Sequence, residues 1–214
     1  KISKVGDIVE IGVPFSDPMA DGMTIQRSSH QALINGVNLK WIFDQIETVS
    51  HQLQAPLVMM SYLNPLLAFG FKALSQRAKE VGIGGFIVPD LPLEESDELR
   101  IALENEGLGL IQLITPATPA SRMIDLCAAS KGFIYAVTMT GITGSDKGLS
   151  LKLAKYLDQI SNLTELPICA GFGVRSAKDV EIIGQHAVGA IVGSALVEAM
   201  EREEDFIGFL KRLR

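Results

Sequence analysis

Short, continuously apolar runs recur along this chain at intervals of about 20 to 35 residues, the spacing of strand–helix units. The runs are Asp7–Phe15, Pro56–Tyr62, Gly85–Pro89, Gly109–Thr115, Phe133–Thr138, Pro167–Gly171 and Ala190–Val192. Within them hydrophobic residues follow one another and do not alternate with polar ones, the pattern of parallel strands covered on both faces. The segments between them carry helical periodicity. Trp41–Leu53 puts Ile42, Ile46, Val49 and Leu53 on one stripe, and Lys72–Val81, Ser96–Asn105, Ser121–Ala129, Leu151–Ser161 and Ser176–Ile183 read the same way. Ser96, Ser121 and Ser176 stand where N-caps are expected. Strands alternating with helices leave two architectures, a (β/α)8 barrel or a doubly wound open sheet. No Gly-x-Gly-x-x-Gly follows the first strand, which counts against a dinucleotide-binding open sheet. Seven runs are present where a closed barrel has eight strands, and such a barrel takes about 250 residues, against 214 here. The expected fold is α/β, a TIM barrel without its first strand and helix, forming one N-terminally incomplete domain over residues 1–214.

Charge and composition narrow the function. The net charge is −6 and no basic tract with interleaved aromatics occurs, so binding through nucleic-acid phosphates is excluded. No apolar run reaches the roughly 18 residues that cross a bilayer, and no secretory leader opens the chain, so a cytoplasmic protein is expected. Cys127 and Cys169 form no Cys-x-x-Cys pair and read as reduced thiols. His30, His51 and His186 lack ligand spacing, and no metal site is expected.

One carboxylate interrupts the first run, Glu10, and two more follow in the loop beyond Pro14, Asp17 and Asp21. An ionised carboxylate inside a buried strand costs several kcal/mol unless paired or neutralised, so such a residue is kept for chemistry or for a buried polar network. The loop past a strand's C-terminal end is where a parallel α/β enzyme places its working groups. Asp17 and Asp21 also suit plain turns, and Tyr62 and Tyr135, near strand ends, also suit the core.

Three glycine-bearing segments follow the later strands: Thr140–Ser145, Ala170–Val174 and Val192–Ala195, the last opening a helical stretch, Ala195–Glu201. Glycine lets backbone N–H groups approach an anion closely, and a helix N-terminus adds positive potential. Loops after the last two strands of a (β/α)8 barrel commonly form a phosphate site. Tight turns required by packing are the alternative for any one of these pairs.

The stretch Glu-Ile-Gly-Val-Pro-Phe-Ser-Asp-Pro-Met-Ala-Asp-Gly-Met-Thr-Ile-Gln, residues 10–26, resembles the signature of tryptophan synthase alpha subunits. So do Tyr-Leu-Asn-Pro at 62–65, Val-Pro-Asp-Leu-Pro-Leu-Glu-Glu-Ser at 88–96, Thr-Gly-Ile-Thr-Gly at 140–144, Gly-Phe-Gly at 171–173 and Val-Gly-Ser at 192–194. The resemblance spans the chain in order. It implies a (β/α)8 barrel lyase of tryptophan biosynthesis that splits indole-3-glycerol phosphate into indole and glyceraldehyde 3-phosphate. It implies no cofactor in this chain and a pyridoxal-phosphate beta subunit as partner in an alpha2-beta2 tetramer. Glu10 becomes the general acid/base at indole C3 and Asp21 the partner of the indole N–H. Gly144, Gly173, Gly193 and Ser194 hold the phosphate, and Thr143 belongs to the loop over the site. Tyr62, Tyr135, Met60, Ile87 and Phe172 line the indole pocket, while Pro14 and Asp17 face the beta subunit. Met23 departs from the family, which usually has Pro there. A different phosphate-handling barrel and a non-catalytic partner subunit are the competing readings.

Overall fold

The computed structural model describes residues 1–138, 147–171 and 173–214, with the side chains of 147–150 left aside. The chain divides into two compact units, 1–110 and 111–214.

The first unit contains β1 (Val9–Gly12), α1 (Met23–Ile34), α2 (Leu39–Val49), β2 (Leu57–Met60), α3 (Leu63–Phe69), α4 (Phe71–Val81), β3 (Ile83–Ile87) and α5 (Asp97–Asn105), and runs into β4 (Gly109–Ile111). The strands form one sheet in the order β1-β2-β3-β4. β1 with β2 and β2 with β3 pair in parallel, aligning Glu10 with Val58 and Gly12 with Met60, then Val58 with Gly85 and Met60 with Ile87. An irregularity after Leu57 leaves Gly84 as an extra residue of β3. One sheet face supplies Met59 and Phe86 to a core with Phe43, Leu66, Leu74, Leu99 and Leu103, all fully enclosed. α2 shows how the sequence builds this. Asn38 caps it by accepting from the Trp41 N–H at 2.9 Å, and Leu39, Ile42, Phe43 and Ile46 form its buried stripe. The helix ends at Val49, four residues before the predicted Leu53, and because Val49 is exposed the buried stripe stops at Ile46.

The second unit contains β5 (Leu113–Ile114), α6 (Ala120–Ala129), β6 (Ile134–Val137), α7 (Lys147–Ser161), β7 (Ile168–Gly171), α8 (Ala177–Gly184), β8 (Gly189–Ile191), α9 (Ser194–Glu201) and α10 (Phe206–Arg212). Its sheet has the order β5-β6-β7-β8, with all three pairings parallel. Among the described residues there are thus eight strands from seven apolar runs, because the run Gly109–Thr115 breaks at Gln112. There the N–H turns aside to the Ser130 hydroxyl at 3.0 Å, and the carbonyl accepts from Tyr135.

The three predicted serine caps divide. Ser176 caps α8 in a full capping box with Asp179. Ser96 donates to the Leu93 carbonyl instead of capping α5, and α6 starts one residue before Ser121, behind Pro119. Among the described residues no helix is long and apolar enough to cross a membrane.

Phe43 is fully buried and meets Phe69 edge-on at 5.4 Å. Phe43→Ala should cost about 3–5 kcal/mol through the cavity it leaves. The check is urea unfolding, where the midpoint should fall while the slope stays as in the wild type.

Candidate active site

Parallel register places Glu10, Gly12, Val58, Met60, Gly85 and Ile87 on one face of the first sheet, opposite the face that carries Met59 and Phe86 into the core. Three residues singled out from the sequence, Glu10, Met60 and Ile87, therefore share a surface. Beyond Glu10, the place where a Gly12 side chain would stand has nothing within 4 Å. Ile87 is fully buried and Met60 half-buried.

Glu10 itself is exposed, on the strand that ends the order of its sheet. The fully buried glutamate expected from the apolar run is not what the fold makes. Protein crowds the other sides of the side chain, and its carboxyl loses hydration without losing access. Burial first, and the Asp21 charge second, push the Glu10 carboxyl up to about 7.

Asp21 lies half-buried just before α1. Burial raises its pKa too, but a hydrogen bond from Tyr62 works against the rise. Tyr62 is buried at the C-terminal side of β2, with its ring stacked on Phe15 at 5.3 Å between centroids and its hydroxyl accepting from the Ala20 N–H at 2.9 Å. Further ties hold the loop between β1 and α1. The Phe15 N–H donates to the Ser29 hydroxyl at 2.9 Å, that hydroxyl reaches the Phe15 carbonyl at 3.2 Å, and the Gln26 amide donates to the Asp21 carbonyl at 2.8 Å. Asp90 accepts from the Leu63 N–H at 2.9 Å and so fixes the residue after Tyr62. Ser29, Gln26 and Asp90 were not singled out as site residues. The available signals are the place of Gln26 at the end of the 10–26 stretch and the Pro-Asp-Leu-Pro setting of Asp90.

In the second unit, Tyr135 on β6 is buried beside Gly171. A Cβ on Gly171 would stand 2.8 Å from the Ile191 Cβ and 3.0 Å from the Tyr135 hydroxyl. Gly173 follows β7 with φ of +79°, a left-handed conformation that favours glycine. Gly193 is exposed and precedes α9, and Ser194 is the first residue of that helix, one residue earlier than the pattern predicts. An ion pair missed from the sequence joins the two glycine segments. The Arg175 guanidinium makes a forked contact with the Glu198 carboxylate of α9, at 2.9 and 3.0 Å. The Arg175 guanidinium, two residues beyond Gly173, is thus engaged by a carboxylate. Thr143, Gly144 and Phe172 lie outside the described residues.

Other features lie apart from these clusters. A cavity of about 430 Å³ near the N-terminal ends of β7 and β8 is lined by Asp158, Leu166, His186 and Val188 among others, at the opposite end of the strands from Gly173 and Gly193. Among the described residues no group of three or more His, Cys, Asp or Glu is placed to hold a metal ion. Cys127 and Cys169 are free thiols.

A fold of βα units with one acid on a strand and a second in the loop beyond it, and with glycine turns past two other strands, defines a parallel α/β enzyme of the TIM-barrel class. A family model described as "Tryptophan synthase alpha chain" matches residues 2–209. A tryptophan synthase alpha chain of Desulfosudis oleivorans is 44% identical over 207 residues, covering 95% of this chain and 78% of that one. Among solved structures, the alpha subunit of Campylobacter jejuni superimposes with a TM-score of 0.84 at 34% identity, over 97% of this chain and 82% of that one. The tryptophan synthase complex of Pyrococcus furiosus gives 0.87 at 30% identity, over 99% and 88%. The chain belongs to the tryptophan synthase alpha chain family. Members are lyases that cleave indole-3-glycerol phosphate to indole and glyceraldehyde 3-phosphate in tryptophan biosynthesis.

Two outcomes follow from the geometry. Gly171→Ala forces Tyr135 and Ile191 apart and should cost about 1–3 kcal/mol by overpacking, read as a lowered unfolding midpoint. Glu10 gives a pH signature. Its folded pKa, about 7, lies above its ordinary 4.5, so the folded state binds the extra proton between those values. Its stabilising contribution is complete below 4.5 and is lost as pH rises through 7. As pH rises from the lower to the upper end of that window, the urea midpoint should fall more for the wild type than for Glu10→Gln.

Proposed function

We propose that Glu10 and Asp21 carry out the family's cleavage in this chain, with Glu10 as proton donor and acceptor and Asp21 as the partner of the indole N–H. The observation that carries this reading is the Glu10 carboxyl, raised to about 7 beside a second carboxylate. A carboxylic acid that keeps its proton near neutrality can deliver it to carbon. Protonated Glu10 gives its proton to indole C3. Positive charge then develops at the ring nitrogen, where the Asp21 carboxylate stabilises it. The bond between C3 and the glycerol carbon breaks, and its electrons restore the indole ring. The hydroxyl proton on that glycerol carbon returns to Glu10 as the carbonyl forms. Atoms and charges balance, and Glu10 ends as it began, provided its carboxyl moves between the two positions.

Met60, Ile87, Tyr62, Tyr135, Phe172 and Thr143 are the proposed substrate-pocket residues, and Gly144, Gly173, Gly193 and Ser194 the proposed phosphate holders. Support comes from the glycine conformation at Gly173 and from the start of α9 at Ser194. The proposed partner is a beta subunit carrying pyridoxal phosphate, in an alpha2-beta2 assembly, as the solved complex among the relatives suggests. The loop of Pro14 and Asp17 is its proposed contact, and Met19 and Met23 there are 78% and 77% exposed. The proposed compartment is the cytoplasm.

The test is indole release from indole-3-glycerol phosphate, with and without the beta subunit. Glu10→Gln should lower kcat by at least about a hundredfold, the lower end of the usual general acid–base range. Wild-type kcat/KM should fall as pH rises above about 7, where Glu10 loses its proton. Full cleavage by Glu10→Gln would sink the assignment.

A further inference from the structure

We propose that the Arg175–Glu198 ion pair is a positioning clamp for the substrate phosphate, holding the turn at Gly173 and the start of α9 at a fixed separation. The inference rests on the phosphate role proposed above for Gly173, Gly193 and Ser194, and adds what sets their spacing. The two ends of the clamp differ in firmness. On the Gly173 side the chain is pinned at once. Val174 is buried, and so is Asp179, whose carboxylate accepts from the Arg175 N–H at 3.0 Å, the Ser176 N–H at 2.8 Å and the Ser176 hydroxyl at 2.9 Å. The Arg175 side chain therefore leaves a backbone that the capping box of α8 holds in place.

The α9 side is looser. β8 is half-buried along its whole length, Gly193 is exposed, and Ala199 is the one buried residue of α9. Gly193 stands at the N-cap position and has no side chain to offer the first N–H groups of the helix. Glu198 follows Ser194 by four residues, so the two share one face of α9, and the glutamate side chain leans toward the N-terminal turn. The Arg175 guanidinium meets that carboxylate at 2.9 and 3.0 Å, a fork that fixes direction as well as distance. The Glu198 side chain is 18% exposed and the Arg175 side chain 59%. With one partner so open, the pair adds little to global stability, so its removal leaves the fold standing and loosens one spacing. That spacing matters because an anion held by backbone N–H groups from two turns meets both sets only at one separation.

The experiment uses the full chain with Arg175→Gln, Glu198→Gln and the double variant. Two readings are taken at constant ionic strength: kcat and KM for indole-3-glycerol phosphate cleavage, and competition by inorganic phosphate. Each single variant should raise KM and the phosphate inhibition constant at least about threefold, with kcat changed less than about twofold. The double variant should lose no more than either single one, because the pair acts as a unit. Arg175→Lys should weaken phosphate too, since lysine keeps the charge and lacks the fork. Charge alone gives the opposite result at one position: Glu198→Gln removes a negative group and would bind phosphate more tightly than the wild type. That result overturns the clamp. So does a purely structural pair, which would lower the unfolding midpoint and leave KM and phosphate competition as in the wild type. Either outcome leaves the phosphate reading standing, provided inorganic phosphate competes in the wild type. Absence of that competition removes the phosphate site itself, and the clamp with it.

Discussion

Parallel strands cannot be joined by a tight turn, so the chain must cross over before each new strand. In each sheet this constraint puts the strand C-termini on one side and the returning loops on the other. It also covers both sheet faces and leaves the strand ends as the places where polar side chains can work. Asp21 and Asp90 follow β1 and β3, and Tyr62 follows β2; Gly173 and Gly193 follow β7 and β8. Glu10 apart, which stands within β1, the proposed groups sit at these ends because the strand interiors are committed to packing, as the enclosed Met59, Phe86, Ile134 and Ala170 show.

Much of this architecture is legible in the sequence because burial leaves a continuous apolar record. The runs around residues 57–60, 134–137 and 168–171 are strands with boundaries shifted by a residue or two. What escapes is structure without such a record. α1, at Met23–Ile34, has no buried residue, so no stripe announces it. α3, at Leu63–Phe69, contains Pro65 and is too short to show a period. The split of one apolar run into β4 and β5 depends on Gln112 giving its N–H to Ser130, eighteen residues away, a tertiary hydrogen bond with no local signal.

The site divides in the same way. The acids announce themselves because charge inside an apolar run, or just past its end, calls for an explanation. Their degree of enclosure does not, since it depends on where the strand falls in the order of its sheet. Glu10 was expected buried and has an open side. Tyr62 carries a motif, but its attachment to Ala20 spans 42 residues and is invisible to spacing. The Arg175–Glu198 pair joins two glycine segments over 23 residues, and neither partner stood out locally.

Two crowded carboxyls close enough to sense each other cannot serve as two copies of one tool. Burial raises both, but Glu10 starts from the higher ordinary value and is carried by burial, with the Asp21 charge adding to it, up to about 7. A proton near neutrality therefore resides on Glu10. That order fits Glu10 as the proposed donor and Asp21 as the proposed stabiliser of positive charge. The asymmetry of the pair, more than the presence of two acids, suits it to protonating carbon on one side of an indole while holding charge on the other.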